Sequence, residues 1–334
     1  MREGAAMKER VRAQSSILRV VFALSVLVLV LPIVAANNAR AHKVHYIASN
    51  GSDASTCTRT APCLTLQRGI DRAATSGASE LIILDSGDFG DGAIIANSIT
   101  ISAIGVSATI GGTITINGAG ATVVLRGLRL NGAGTAVDGI AIVDAAAVQI
   151  VDCEVQNFTR HGISVLTASP TNLFVSGSVS RNNGVEGLVF APVAGGALTV
   201  DNSRFEGNAG SGLHIEFSEA RITHTIAAGN GTYGIFQYVG TTNVTSTVVA
   251  DNGLEGYALF GGGQMTLEQS VARGNLTGLR VEDGSTARIS LCVVTNNGTG
   301  LLVPAGSTIR TRRNNTVSGN TTDVSGTLKG LPRT

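Results

Sequence analysis

One dipeptide pattern, a glycine followed by an apolar residue, recurs between residues 139 and 301 at intervals of 22 to 25 residues. Its eight copies are Gly139-Ile140, Gly162-Ile163, Gly187-Leu188, Gly212-Leu213, Gly234-Ile235, Gly256-Tyr257, Gly278-Leu279 and Gly300-Leu301. A column of asparagines repeats with the same period, at Asn183, Asn208, Asn230, Asn252, Asn275, Asn297 and Asn320. Two columns with one period indicate an architecture in which each period is one stacked structural unit.

The segments between these columns alternate apolar and polar residues, as in Leu213–Phe217 and Arg221–Thr223, which is typical of short strands with one buried face. Helical repeats would need apolar residues at three- and four-residue spacing and little glycine, whereas this chain has 43 glycines. We therefore predict an all-β fold, a parallel β-helix whose coils stack at roughly 4.8 Å. Asparagine is expected at a sharp corner because it tolerates left-handed backbone angles and stacks its amides from coil to coil.

Segments near the N-terminus add a second pattern, in Tyr46–Asp53, Pro62–Gln67, Gly69–Ala73 and Leu81–Phe89. Together with the repeat, they resemble the right-handed parallel β-helix proteins of the pectate lyase superfamily, in which a strand and a short helix cap the first coil. The resemblance implies an N-terminal cap with first strands at 42–92, a right-handed β-helix at 93–320 and a C-terminal tail at 321–334.

The first 41 residues have the pattern of a signal peptide. Four basic residues, Lys8, Arg10, Arg12 and Arg19, precede an apolar run at 20–34 and an Ala39-Arg40-Ala41 cleavage pattern. We predict a secreted or periplasmic protein with no membrane span after signal removal, an uncleaved anchor being the alternative. The 24 basic against 23 acidic residues exclude a basic nucleic-acid binder.

The four cysteines fall into two classes. Cys57 and Cys63 are close in sequence, with Pro62 between them, and an exported chain permits a disulfide there. Cys153 and Cys292 occupy the same repeat position six coils apart, roughly 30 Å, which is too far for a disulfide. We predict that both are buried free thiols.

Candidate catalytic residues lie in the column that precedes the repeat glycine, where Asp138, His161 and Glu186 fall on three successive coils. The coil spacing places the two carboxylates roughly 9.6 Å apart with the histidine between them, near the upper limit for an inverting glycosidase. Arg160 and Arg181 are expected nearby, where they would hold an anionic sugar. The alternative interpretation is a row of solvated corner residues.

Superfamily motifs limit this chemistry. Of the polygalacturonase motifs, only Arg160-His161-Gly162 is similar to one, and Lys43 and Lys329 are the only lysines after the signal peptide. A lysine base in the middle of the solenoid is thereby excluded. Without metal-ligand spacing or a glycine-rich loop that opens a helix, we predict neither a metal nor a cofactor.

A second candidate site is an outward face of the solenoid. Alternation after the repeat glycine directs Phe236, Tyr238 and Phe260 away from the core, beside His214 and Glu216. Clustered exposed aromatic rings suit sugar binding or association. The alternatives are a face covered by a loop or by another copy of the protein through self-association.

We predict an exported protein that binds an extracellular or periplasmic polysaccharide. The sequence is compatible with binding alone and with binding followed by cleavage, as in a polysaccharide lyase or a glycoside hydrolase. The alternative is a non-catalytic surface, adhesion or structural module whose solenoid only presents faces.

Overall fold

A computed structural model of the protein describes residues 43–331, which form 33 strands and one helix. All strands of the solenoid pair in parallel, each with the equivalent strand of the next coil. The prediction of an all-β parallel β-helix with a short N-terminal helix is confirmed. The predicted signal peptide, residues 1–41, lies outside the described residues.

Each complete coil contributes one strand to each of three faces. The first face follows the repeat glycine and contains Gly92–Ile95, Thr113–Asn117, Ile140–Asp144, Ile163–Val165, Leu188–Phe190, Glu255–Phe260, Thr277–Val281, Thr299–Val303 and Thr322–Gly326. Two longer strands, Leu213–Thr223 and Ile235–Thr245, run through the first and second faces without interruption. Residues with positive φ bend both strands, Phe217 in the first and Val239 with Gly240 in the second.

The second and third faces complete each coil of the solenoid. The second contains Val44–Ile47, Glu80–Ile83, Ile99–Ser102, Thr122–Arg126, Ala147–Val151, Asn172–Ser176, Ala197–Asp201, Gln264–Glu268, Thr286–Ser290, Thr308–Thr311 and Leu328–Gly330. The third contains Gly87–Asp88, Ala108–Ile110, Leu128–Asn131, Glu154–Gln156, Val179–Arg181, Arg204–Glu206, Ile226–Ala228, Val248–Ala250, Val271–Arg273, Val293–Thr295 and Thr316–Val317. Apolar side chains of all three faces fill the interior in columns, because alternate residues of each strand point inward.

The asparagine column forms a hydrogen-bonded ladder at the corner between the third and first faces. The side-chain amide nitrogen of Asn230 donates to Oδ1 of Asn252 at 3.0 Å, and that of Asn252 donates to Asn275 at 2.9 Å. The stacking prediction is confirmed, but the expected backbone angle is wrong for these residues. The left-handed residue is the one before each asparagine, such as Asp251 with φ 56°.

The repeat glycines are required by close approach of neighbouring coils. A Cβ atom at Gly187 would lie 2.7 Å from the carbonyl oxygen of Gly212 and 2.8 Å from the amide nitrogen of Asn208. Gly212 and Gly234 approach the next coil in the same way, because a Cβ atom on either would lie 2.7 Å from a backbone carbonyl oxygen of that coil. Any side chain at these positions would therefore push the coils apart, which explains why glycine precedes the inward-facing apolar residue.

The N-terminal end is capped by the helix α1, Leu66–Ser76. Thr65 caps the helix by accepting a hydrogen bond from the backbone N–H of Arg68, and Gly77 ends it in the left-handed conformation. Buried residues of α1, Leu66 and Ile70 among them, cover the first coil. Cys57 and Cys63 form the predicted disulfide within this cap.

The solenoid extends beyond the predicted boundary at residue 320. The strand Thr322–Gly326 pairs with Thr299–Val303, and Leu328–Gly330 pairs with Thr308–Thr311. The described part of the predicted tail therefore continues the stacked coils. The sequence repeat weakens here because these last strands have few buried side chains, so alternation is lost although the backbone pairing persists.

Cys153 and Cys292 are buried and free, as predicted. Both belong to a column of small polar residues in which the backbone N–H of Cys153 donates to Ser178 Oγ and that of Ser178 donates to Ser203 Oγ. Burial raises the pKa of the Cys153 thiol to about 12. The thiols therefore act as small packing groups, with their sulfurs directed at backbone carbonyls.

Candidate functional site

Five aromatic side chains form a cluster on and beside the first face, here called the aromatic platform: Phe217, Tyr233, Phe236, Tyr238 and Phe260. The Phe236 ring stacks on Tyr233 with 5.1 Å between centroids and lies 5.6 Å from Phe260. Tyr238 meets the edge of Phe217 at 5.5 Å. Phe217 is 53% exposed and Tyr238 is 38% exposed, so part of the platform is open to solvent.

Strand register places three members of the platform, Phe236, Tyr238 and Phe260, in two neighbouring columns. His214 pairs with Phe236, which pairs with Ala258, which pairs with Arg280. The second column is two residues further along each strand, where Glu216 pairs with Tyr238 and Tyr238 with Phe260. Their neighbours in the strand, such as Ile235 and Gln237, are buried. The predicted outward direction of these side chains therefore agrees with the structure.

One end of the platform carries a histidine held between two glutamates. His214 Nε2 lies 2.8 Å from Glu216 Oε1, its Nδ1 lies 3.5 Å from Glu186 Oε1, and its ring meets Phe236 at 4.6 Å between centroids. Burial alone would lower the pKa of His214, but the hydrogen bonds and charges of the two glutamates raise it. This end therefore favours an imidazolium shared by two carboxylates.

The other end carries an arginine in the equivalent position. Arg280 donates from Nη1 to Glu255 at 3.1 Å and from Nη2 to Glu282 at 2.7 Å. Its guanidinium carbon lies 5.5 Å from the centroid of the Phe260 ring, within cation–π range. Each end of the platform thus has one cation and two glutamates.

The predicted triplet lies on the coils before the platform. Asp138 is buried and accepts hydrogen bonds from Arg160 Nε at 2.9 Å, the backbone N–H of His161 at 3.1 Å and the Ser164 hydroxyl at 3.2 Å. Burial would raise the pKa of Asp138, but these hydrogen bonds and the Arg160 charge lower it. Asp138 is therefore an ionised carboxylate locked to Arg160.

His161 and Glu186 are linked through the backbone. His161 Nδ1 accepts the backbone N–H of Glu186 at 3.3 Å, so the neutral ring carries its proton on Nε2. Burial lowers the pKa of His161, which favours this neutral form. Glu186 accepts the backbone N–H of Ser211 and pairs with His214, and these contacts lower its pKa although burial opposes them.

The structure thus brings Asp138, His161, Glu186 and Arg160 together and joins them to His214, but it places Arg181 elsewhere. Arg181 lies on the third face and pairs with Glu154 at 2.5 Å, which also pairs with Arg129 at 2.8 Å. These residues line an open groove of about 1000 Å³ with Arg204, Glu206 and Ile104. Sequence spacing alone did not reveal the position of Arg181, because the corner at Asn182 and Asn183 separates the face of Arg181 from that of Glu186.

Several site residues were not in the predicted set: Phe217, Tyr233, Glu255, Arg280 and Glu282. Tyr233 stands in the same column as Asp138 and Glu186, and Arg280 stands two coils beyond Phe236 in the outward column. The repeat alignment contained this signal. Phe217 is a corner residue, and only its bend into the left-handed conformation brings its ring against Tyr238.

Among residues 43–331, no group of three or more His, Cys, Asp or Glu side chains is arranged to hold a metal ion. Nor does that part of the chain contain a helix with the length and apolar character needed to cross a bilayer.

A family model described as "Right handed beta helix region" matches residues 189–322. The chain has the fold of a right-handed parallel β-helix. Solved structures with this fold extend the match over most of the chain. The A-module of mannuronan C-5 epimerase AlgE4 from Azotobacter vinelandii has a TM-score of 0.58 and 12% identity, covering 80% of this chain and 92% of its own.

Two further solved structures share the fold of this β-helix protein. A rhamnogalacturonan lyase has a TM-score of 0.54 and 14% identity, with coverage of 85% of this chain and 88% of its own. The Dettilon tailspike protein has a TM-score of 0.52 and 12% identity, with coverage of 86% and 68%. No curated protein sequence matches. At these identities the likeness concerns the fold.

Proposed function

We propose that this protein is exported and binds an extracellular or periplasmic polysaccharide along its first face, with the aromatic platform as the main contact. The observation that carries the proposal is the row of rings formed by Tyr233 and Phe236 on one coil and Phe260 on the next, with charged groups at both ends. Aromatic faces pack against the apolar faces of sugar rings, and carboxylates accept hydrogen bonds from sugar hydroxyls.

Two further observations support the proposal. Two structural neighbours are named as enzymes that act on carbohydrate polymers, a mannuronan epimerase and a rhamnogalacturonan lyase, so this fold serves polysaccharide chemistry in other proteins. The disulfide between Cys57 and Cys63 supports export, because such bonds persist in oxidising compartments.

A glycan array followed by titration calorimetry tests binding. We expect the double variant Phe236→Ala with Phe260→Ala to weaken binding of the selected glycan by about tenfold to a hundredfold, because each ring contributes about 1 kcal/mol. Phe174→Ala is the matched control, since Phe174 is 37% exposed on the second face. Absence of binding to every glycan, or equal loss in the control, would contradict the proposal.

Cleavage at Asp138, His161 and Glu186 is a second candidate function. It is favoured by the shifted pKa values of all three residues, since such clusters occur at functional sites. A two-carboxyl hydrolase needs one carboxyl with a raised pKa, whereas Asp138 and Glu186 both have lowered values. The proton donor for hydrolysis would instead be His214, which lies beside ionised Glu186.

Reducing-end and unsaturated-product assays on the bound glycan test cleavage. We expect Glu186→Gln or Asp138→Asn to lower turnover more than tenfold with little change in binding. Binding without turnover, unaffected by either substitution, would leave a non-catalytic surface or adhesion module.

Self-association through the platform is the competing use of the same face, favoured by the exposure of Phe217 and Tyr238. Analytical ultracentrifugation distinguishes it from glycan binding. A concentration-dependent dimer that is lost in Phe217→Ala with Tyr238→Ala, in a protein that binds no glycan, would replace the polysaccharide proposal.

A further inference from the structure

We propose that the aromatic platform selects sugars that carry a protonated amine over sugars that carry a carboxylate. This inference rests on the proposed polysaccharide binding and names the class of sugar that the platform accepts. It departs from the sequence-based expectation that Arg160 and Arg181 hold an anionic sugar.

The charges around the platform are unbalanced toward the negative. Each end has two glutamates that share a single cation, with Glu186 and Glu216 on His214 and Glu255 and Glu282 on Arg280. One carboxylate at each end is therefore not neutralised even when His214 is protonated. A cationic sugar would complete this charge balance, whereas an anionic sugar would increase the imbalance.

Glu216 and Glu282 are the two glutamates best placed to meet such a ligand. Their side chains are 32% and 24% exposed, and in each only Oε1 has a hydrogen bond, leaving Oε2 available. Strand register puts them three coils apart in one column, roughly 14 Å, with Tyr238 and Phe260 between them. A polymer lying along this column would pass a carboxylate, two rings and a second carboxylate.

The rings themselves favour a positive ligand. The face of an aromatic ring attracts cations, and Arg280 already uses Phe260 in this way. A ring cluster bordered by carboxylates combines two attractive terms for an ammonium group, a cation–π contact and a charge-assisted hydrogen bond.

Among the described residues, the arginines of this surface already have carboxylate partners. Arg160 donates two bonds to buried Asp138, and Arg280 is held by Glu255 and Glu282. In the described residues the two lysines, Lys43 and Lys329, lie in the first and last strands of the second face or next to them. A uronic acid would have to share an arginine that already has a carboxylate partner, Asp138 for Arg160 or Glu255 with Glu282 for Arg280.

Calorimetry with three oligosaccharides of equal length tests the inference, at a pH below the pKa of the sugar amine. The probes are a glucosamine oligomer, its N-acetylated form and a galacturonate oligomer. We expect the glucosamine oligomer to bind at least about tenfold more tightly than its N-acetylated form, with the preference reduced by added salt, and the galacturonate oligomer to bind weakest.

Variants separate this inference from the proposed function. Glu216→Gln with Glu282→Gln is expected to abolish the preference for the amine while binding of the N-acetylated oligomer persists. Glu206→Gln on the third face is the matched control and is expected to leave the preference intact. Equal affinity for all three probes, or preference for galacturonate that depends on Phe236, would overturn the inference but keep the polysaccharide proposal. Failure of every probe to bind would overturn both.

Discussion

The asparagine ladder and the aromatic platform are built from the same repeat but differ in what they contain. The ladder repeats one residue type on successive coils, and members such as Asn230 and Asn252 are almost completely buried, with their amides bonded to the next coil. The platform columns change from coil to coil, from His214 to Phe236 to Ala258 to Arg280. The same residue type repeats where its side chain must satisfy buried backbone groups. Positions that contact solvent or ligand are free to vary from coil to coil.

Removing one asparagine from the middle of the ladder should have the largest effect on stability. Asn252→Ala deletes the acceptor for the backbone N–H of Asn230 and the donor to the carbonyl oxygen of Ala227. Buried groups left without partners cost about 1–3 kcal/mol each, so we expect a loss of about 3 kcal/mol in the free energy of unfolding. Urea denaturation measures it. Asn320→Ala, at the half-buried end of the ladder, should cost clearly less; equal losses would mean that burial does not set the effect.

The repeat made the fold predictable from sequence because the columns of Gly187 and Asn208 record direct contacts between coils. The outward positions of Phe236 and Tyr238 followed from strand alternation. What could not be predicted was determined by the corners. Arg181 precedes Glu186 by only five residues, yet the turn at Asn182 and Asn183 places it on another face, and Phe217 joins the platform through one left-handed residue.

The sequence also could not show how charges are shared. Asp138 and Glu186 were expected as a carboxyl pair two coils apart, with His161 between them, but the structure gives each its own partners, Arg160 for the first and His214 for the second. Which side chains fold back onto a carboxylate depends on rotamers and on depth below the surface, and neither is visible in a repeat alignment.

The ion pair between buried Asp138 and half-exposed Arg160 should show as an acid-dependent loss of stability. Because the folded pKa of Asp138 lies below the ordinary pKa of an aspartate, its stabilisation is present above that ordinary value and is lost as pH falls through the folded pKa. We expect Asp138→Asn to cost about 2 kcal/mol near neutral pH and to lose less stability than the wild type on acidification. Thermal unfolding across the acid range measures it, and parallel curves for the two proteins would contradict the assignment.

A smaller effect of opposite sign is expected at the edge of the platform. The raised folded pKa of His214 means that its stabilisation is present below the ordinary pKa of a histidine and is lost as pH rises through the folded pKa. We expect His214→Gln to be less stable than the wild type by about 1 kcal/mol on the acidic side and to converge with it in alkali. Stabilities that converge in acid instead would contradict the assignment of His214 as a protonated ring shared by Glu186 and Glu216.

Hydrogen exchange with and without the tightest-binding oligosaccharide tests most directly whether the varied outward columns form the binding face. We expect slower amide exchange in the first-face strands that carry the platform and its ends, at 213–217, 233–239, 255–260 and 277–282. Exchange in the third-face strand Arg204–Glu206 should be unchanged. Protection confined to the third-face groove, or no protection on the first face at saturating ligand, would contradict the account.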